Sequence, residues 1–119
     1  MVNQYKDRIT ILDDQEIEDL YGLPRFAHDE RVYYFSLNPE ESAVADSHRT
    51  LANRVLFILQ AGYFKAKTMF FTFSFDEVRD DVRHILRHHF PLYGDIHLAE
   101  PIPRQSRAAQ QHRILALYG

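Results

Sequence analysis

"NRVLFILQAGYFKAKTMFFTF", residues 53–73, is apolar over most of its length yet carries Arg54, Gln60, Lys65 and Lys67. A membrane-crossing helix needs about 20 predominantly apolar residues. The four polar positions interrupt or close the run, so no span is expected. On a helix from roughly Thr50 to Lys65, the side chains of Leu51, Val55, Leu56, Phe57, Ile58, Leu59, Ala61, Tyr63 and Phe64 cover nearly the whole circumference. A helix that is apolar all round is packed on several sides, which predicts that this one is the centre of the fold. The stretch "MFFTFSF" (69–75) then alternates Phe71, Phe73 and Phe75 with Thr72 and Ser74, as an extended segment laid across a core does. No sheet is expected.

Helix signals flank this centre on both sides. "LDDQEIEDLYGLP" (12–24) offers Asp13 as an N-cap, Glu16 three residues on, and a stop at Gly22 and Pro24. A second short helix is predicted in "DERVYYFSL" (29–37), with Val32, Tyr33 and Phe35 close to one face. "NPEESAVADS" (38–47) predicts a third, with Asn38 as cap, Pro39 at the first helical position and Glu41 completing a capping box. After a turn near Ser47–Arg49 comes the central helix. A fifth helix is predicted from the Ser74-x-x-Glu77 box to about His89, with Val78, Val82, Ile85, Leu86 and His89 on one face. The Pro-rich connection "FPLYGDIHLAEPIP" (90–103) leads to a sixth, from about Arg104 to Tyr118, with Gly119 as its C′ residue. The sum is an all-α chain of about six helices, one domain over residues 1–119.

Composition narrows the function classes. No Cys means no disulfide framework, thiol nucleophile or thiolate metal site. The charged start, with Lys6, Asp7 and Arg8, carries no signal-peptide pattern, so a cytoplasmic location is expected. The four glycines are isolated and form no phosphate-cradling loop, and no Ser sits in a nucleophile elbow. A net charge of −3 argues mildly against a nucleic-acid partner. The charge is uneven, however: residues 1–60 hold 6 Lys/Arg against 11 Asp/Glu, whereas residues 61–119 hold 8 against 6. From Pro101 onward there are three Arg and no acid, which makes the end of the chain its electropositive part.

Paired acids and histidines are the remaining candidates for chemistry. Asp13/Asp14 and Glu40/Glu41 fall in first helical turns, where negative charge favours the helix dipole. Asp80/Asp81 are likewise assigned no catalytic role. Asp80, His84 and His88 are spaced i, i+4, i+8 on the polar side of the fifth helix and would present one carboxylate and two imidazoles to a metal. The same residues, with Asp81 and Arg87, equally make a solvated face with local ion pairs. His89 falls on the apolar side, as a satisfied core histidine. Neither a metal nor a cofactor is expected.

The sixth helix is the functional candidate. At about 100° per residue, Ala108, Gln111, Ile114, Leu115 and Tyr118 are expected inside, with Gln105, Ser106, Ala109, His112, Arg113 and Ala116 outside. That outer face is free of acid. Its alanines permit close approach to a groove, and its Gln, Ser, His and Arg can bond to base edges. Gln105, Ser106, His112 and Arg113 are the base-facing candidates, and Arg104, Arg107, Lys65 and Lys67 the phosphate contacts.

Four blocks, "EIEDLYGLPRF" (16–26), "ERVYYFSLNPEE" (30–41), "NRVLFILQAGYFKAKTMFF" (53–71) and "QQHRILALYG" (110–119), resemble the N-terminal domain of the large transposases of the Tn-three family of replicative bacterial transposons. The middle block, with Gly62-Tyr63-Phe64-Lys65-Ala66, is the most specific. The resemblance covers nearly the whole chain. It implies an all-helical module with helix-turn-helix character that binds double-stranded DNA at the transposon's terminal inverted repeats. The catalytic acids of such transposases lie far downstream, so no enzymatic activity is expected here, and the chain would be a fragment of a longer protein. Partners implied are transposon-end DNA, the downstream domains of the same transposase and a second copy in a homodimer. The alternative is a helical protein-interaction or regulatory module that uses the acidic N-terminal half.

Overall fold

The structure, a computed structural model, describes residues 13–98 and 102–118, apart from the side chains of Asp19 and Leu20. The charged start of the chain and Gly119 lie outside the described residues. Within them are six α-helices, one 3-10 turn and no strand: α1 Asp14–Tyr21, α2 His28–Tyr34, α3 Pro39–Asp46, α4 Leu51–Lys67, α5 Arg79–His89 and α6 Arg104–Tyr118. The all-α architecture is therefore as the sequence predicts. None of the described helices is long and apolar enough to cross a membrane.

Local signals set the boundaries of the early helices. Asp13 Oδ1 accepts from Glu16 N at 2.8 Å to start α1. Asn38 Oδ1 accepts from Glu41 N at 2.8 Å while Glu41 Oε1 accepts from Asn38 N at 2.8 Å, the reciprocal bonds of a capping box. Thr50 Oγ1 caps α4 through Asn53 N at 3.1 Å. At the other end of α4, Thr68 adopts the left-handed conformation (φ 57°), which closes a helix at some conformational cost for a β-branched residue. The Ser74/Glu77 box also forms, at 2.9 and 3.2 Å, but it encloses a turn. Val78 leaves helical geometry (φ −117°, ψ 34°) and α5 begins only at Arg79.

Helix α4 is the hub. Every residue from Val55 to Tyr63 is buried, and α2, α3, α5 and α6 all pack on it, with α3 also touching α6. Phe35, Phe57 and Ile58 are fully buried; each such side chain contributes about 1.5–3 kcal/mol relative to exposure. Gly62 is where α2 comes closest, because a Cβ there would stand 2.5 Å from Phe35 Cδ1 and Cε1. Around this contact Phe26, Phe35, Tyr63 and Phe73 interlock, with ring centroids 5.4–5.8 Å apart. Phe73 and Phe75 are buried in the extended strap that follows α4.

Two expectations about faces are corrected. Val32 and Tyr33 are exposed, Tyr33 at 72%, and only Phe35, just past the end of α2, enters the core. Tyr34 instead stacks on Phe26 at 5.0 Å. Asp81 and His84 are buried rather than solvated. Asp81 Oδ1 takes Arg31 Nε at 2.7 Å and Oδ2 accepts from the Tyr63 hydroxyl, joining α5, α2 and α4. Burial and the Asp81 charge push ionisation of Tyr63 upward, so its hydroxyl remains the donor.

Candidate nucleic-acid interface

Helix α6 is held on α4 by amides as well as apolar contacts. Gln60 (2% exposed) and Gln110 (1%) are both buried. Gln60 Nε2 donates to Gln110 Oε1 at 2.9 Å, Gln110 Nε2 donates to the Asn53 carbonyl at 2.8 Å, and Gln111 Nε2 donates to Gln60 Oε1 at 3.1 Å. Buried amides cost little only when bonded in this way. Ile114 fills the apolar part of the contact, and Tyr118 stacks on Phe64 at 6.0 Å.

The inner side of α6 is turned from the expected one. Ile114 and Gln111 lie inside as expected, but Arg107, Gln110 and Leu117 join them while Ala108 and Leu115 are exposed, a rotation of roughly 80° at 100° per residue. Apolar residues pointed to the expected face, and a buried glutamine pair decided otherwise. The only advance signal was Gln60, a polar residue on a helix that is otherwise apolar all round.

That rotation redistributes the candidate residues. Gln105 and His112 stand near the middle of the exposed side with Ala108, Ala109 and Ala116. Arg104 and Arg113, also exposed, lie towards its two edges. Ser106 is half-buried. Arg107 turns inward: Nη2 donates to the Phe73 carbonyl at 2.6 Å and the guanidinium lies 5.5 Å from the centre of the Phe73 ring. The strap thus clamps α6. Lys65 pairs with the buried Glu41 at 2.9 Å and donates to the Ser36 carbonyl at 3.0 Å, so its ammonium is committed to joining α4 and α3. Lys67 is half-buried.

Short helix–turn–helix junctions occur at 35–38, between α2 and α3, and at 47–50, between α3 and α4. Neither leads to a helix suited to a groove, because α3 carries Glu40 and Asp46 on its exposed side and α4 is buried. The acid-free α6 follows the longer connection 90–103, which includes the 3-10 turn Pro91–Tyr93.

The family described as a domain of unknown function (DUF4158) matches residues 11–119. The chain belongs to that family. No curated protein and no solved structure matches it. The DUF4158 match takes in all six helices, so the amide lock between α4 and α6 joins two elements of one family domain. It also takes in the histidines of α5. There the rings of His84 and His88 stack face to face at 4.1 Å, an arrangement that does not aim two nitrogens at one point, and Asp80 is drawn to Arg83 at 3.4 Å. No group of three His, Cys, Asp or Glu among the described residues of this DUF4158 chain is arranged to hold a metal ion. His89 Nε2 meets the Phe35 carbonyl at 2.8 Å, a satisfied contact at the edge of the core.

Proposed function

We propose that this chain is the N-terminal DNA-binding module of a Tn-three-family transposase, without catalysis of its own, and that α6 lies in the major groove of the transposon's terminal inverted repeat. One observation carries this: of the two described helices that carry no acid, α4 is buried as the hub, and α6 presents Gln105, His112 and three alanines outward, with arginines at both edges, while its inner side is locked to the hub. Base readout requires side chains held on a rigid element. Gln105 and His112 take the base edges. Arg104 and Arg113, on the flanks, take phosphates, with Arg104 helped by the positive end of the helix dipole. The module supplies tethering and site choice, and strand transfer belongs to distant domains of the same transposase. Arg107 and Lys65 act in this scheme as internal braces. Tyr21, Val32 and Tyr33, exposed on the acidic half, support contacts of that half with the rest of the transposase or a second copy.

The test is anisotropy titration of a terminal-repeat duplex and a scrambled duplex at several salt concentrations. Gln105→Ala should lose about 1–3 kcal/mol on the cognate duplex alone. Arg104→Ala and Arg113→Ala should weaken both duplexes and each reduce the salt slope by about 1. Salt-insensitive behaviour, or equal loss on both duplexes for Gln105→Ala, would count against groove readout by this face.

A further inference from the structure

A cleft rich in Arg and His lies between α2 and α5. His28, Arg31, Asp80, Arg83, His84, Arg87 and His88 line a concavity of about 260 Å³. The three imidazoles form a continuous row, His28 to His84 at 5.9 Å and His84 to His88 at 4.1 Å between ring centres. His84 is 9% exposed and rests against Phe35, yet none of the three rings hydrogen-bonds another described residue.

The guanidiniums around the row are not equally committed. Arg31 is tied to buried Asp81 at 2.7 Å. Arg83 gives one long bond of 3.4 Å to exposed Asp80, and Arg87 gives two bonds to exposed Asp95, at 2.9 and 3.3 Å. A guanidinium has five N–H donors, so both retain donors beyond these bonds. Exposed ion pairs contribute about 0–1 kcal/mol and are readily shared with a stronger anion. The three guanidiniums are matched by Asp81, Asp80 and Asp95, so the cleft offers directed donors rather than an excess of charge. His84 is lowered to about 4, first by burial and then by His88, His28, Arg31 and His89.

We propose that this cleft binds a phosphate group, held by Arg83 and Arg87 and flanked by the rings of His28, His84 and His88. Imidazole N–H groups and guanidinium forks are suited to the tetrahedral oxyanion, which accepts at several oxygens at once. The concavity has room for a phosphate ester as well as the free ion, so the phosphate of a nucleic-acid backbone and inorganic phosphate are its two sources. The site does not depend on α6.

Histidine-selective NMR of the full chain at pH 6 tests this, with sodium phosphate titrated against sodium chloride at matched ionic strength. Saturable shifts are expected for His28, His84 and His88 but not for His48 or His112. The double variant Arg83→Gln/Arg87→Gln, altered only at exposed side chains, should weaken phosphate binding about tenfold or more and keep its thermal unfolding transition. An unphosphorylated duplex in place of phosphate identifies the source. Saturable shifts at the same three rings assign the site to backbone diesters, and shifts with inorganic phosphate alone assign it to free phosphate. Shifts no larger than those given by chloride, with neither ligand saturating, would overturn the proposal, as would binding unaffected by the double variant. Because Gln105→Ala leaves this cleft intact, the α6 reading and the cleft succeed or fail separately.

Discussion

Replacing Gln110 by Ala tests whether the amide lock, rather than apolar burial, fixes α6. The substitution removes one buried methylene, worth about 0.8 kcal/mol. It also leaves Gln60 Nε2 without its 2.9 Å acceptor, and the remaining contact to the Arg107 carbonyl is long, at 3.5 Å. An unsatisfied buried donor costs about 1–3 kcal/mol. Gln60 Oε1 keeps its bond from Gln111, and the Asn53 carbonyl belongs to the α4 ladder, so neither adds a second large penalty. The expected loss is therefore about 2–4 kcal/mol, a large part of the roughly 5–15 kcal/mol that holds a domain folded. Urea unfolding followed by circular dichroism measures it. The companion Gln60→Ala and the double variant complete a cycle whose coupling should be about 0.5–3 kcal/mol. Amide exchange in α6 should speed up selectively in both single variants. A loss under about 1 kcal/mol with no coupling would show that Ile114 and Leu117 position the helix and the glutamines merely accompany them.

Two further substitutions probe the hub and the histidine row. Gly62→Ala places a methyl 2.5 Å from Phe35, itself enclosed by Phe26 and Tyr63. Overpacking of about 1–3 kcal/mol should outweigh the gain of about 0.5–1 kcal/mol from removing a helical glycine, so a variant as stable as the parent in urea would contradict the close approach of α2 and α4. For His84, the folded pKa of about 4 lies below the ordinary 6.5. The unfolded chain then binds more protons between these values, and stability falls as pH drops from about 6.5 towards 4. The contribution is at most about 3 kcal/mol. His84→Gln should flatten this part of the stability profile, and an unchanged slope between pH 6.5 and 4 would remove His84 as its source.

Much of the architecture was legible because its signals are local. Asp13, Asn38 and Glu41 sit where capping chemistry requires them, each bonded to a residue three positions away, and Pro39 stands at the first helical position. The all-round apolar character of Val55–Tyr63 announced a central helix for the same reason, since periodicity is a property of neighbours. What was not legible depends on partners far along the chain. Gln60 meets Gln110 across 50 positions, Arg31 meets Asp81 across 50, and Arg107 meets the Phe73 carbonyl across 34. A buried polar residue looks like a surface residue until its partner is known, and so α6 was rotated and α5 was given a wetter face than it has. The Ser74 box misled more mildly, because the same reciprocal bonds can close a turn that Val78 then ends.

These long-range pairs also bear on how an acidic chain can present cationic surface. Arg107 and Lys65 were expected among the phosphate contacts, but Lys65 pairs with Glu41 and Arg107 bonds to the Phe73 carbonyl. The acids are likewise unequal: Glu41 and Asp81 are buried against Lys65 and Arg31, while Asp13, Asp14, Glu16, Glu40 and Asp46 face solvent on α1 and α3. Subtracting the internal pairs removes as many acids as bases, so the net charge of −3 is preserved while its location is sharpened. The exposed excess of acid belongs to the first three helices, and α6 carries none. Helix α3 touches α6, so its acids are near that helix, and only charges beyond about 8 Å are largely screened at physiological salt. A polyanion at the outer side of α6 meets Arg104, Arg113 and the helix end first, and the sign of the whole chain is a poor guide to what that face can hold.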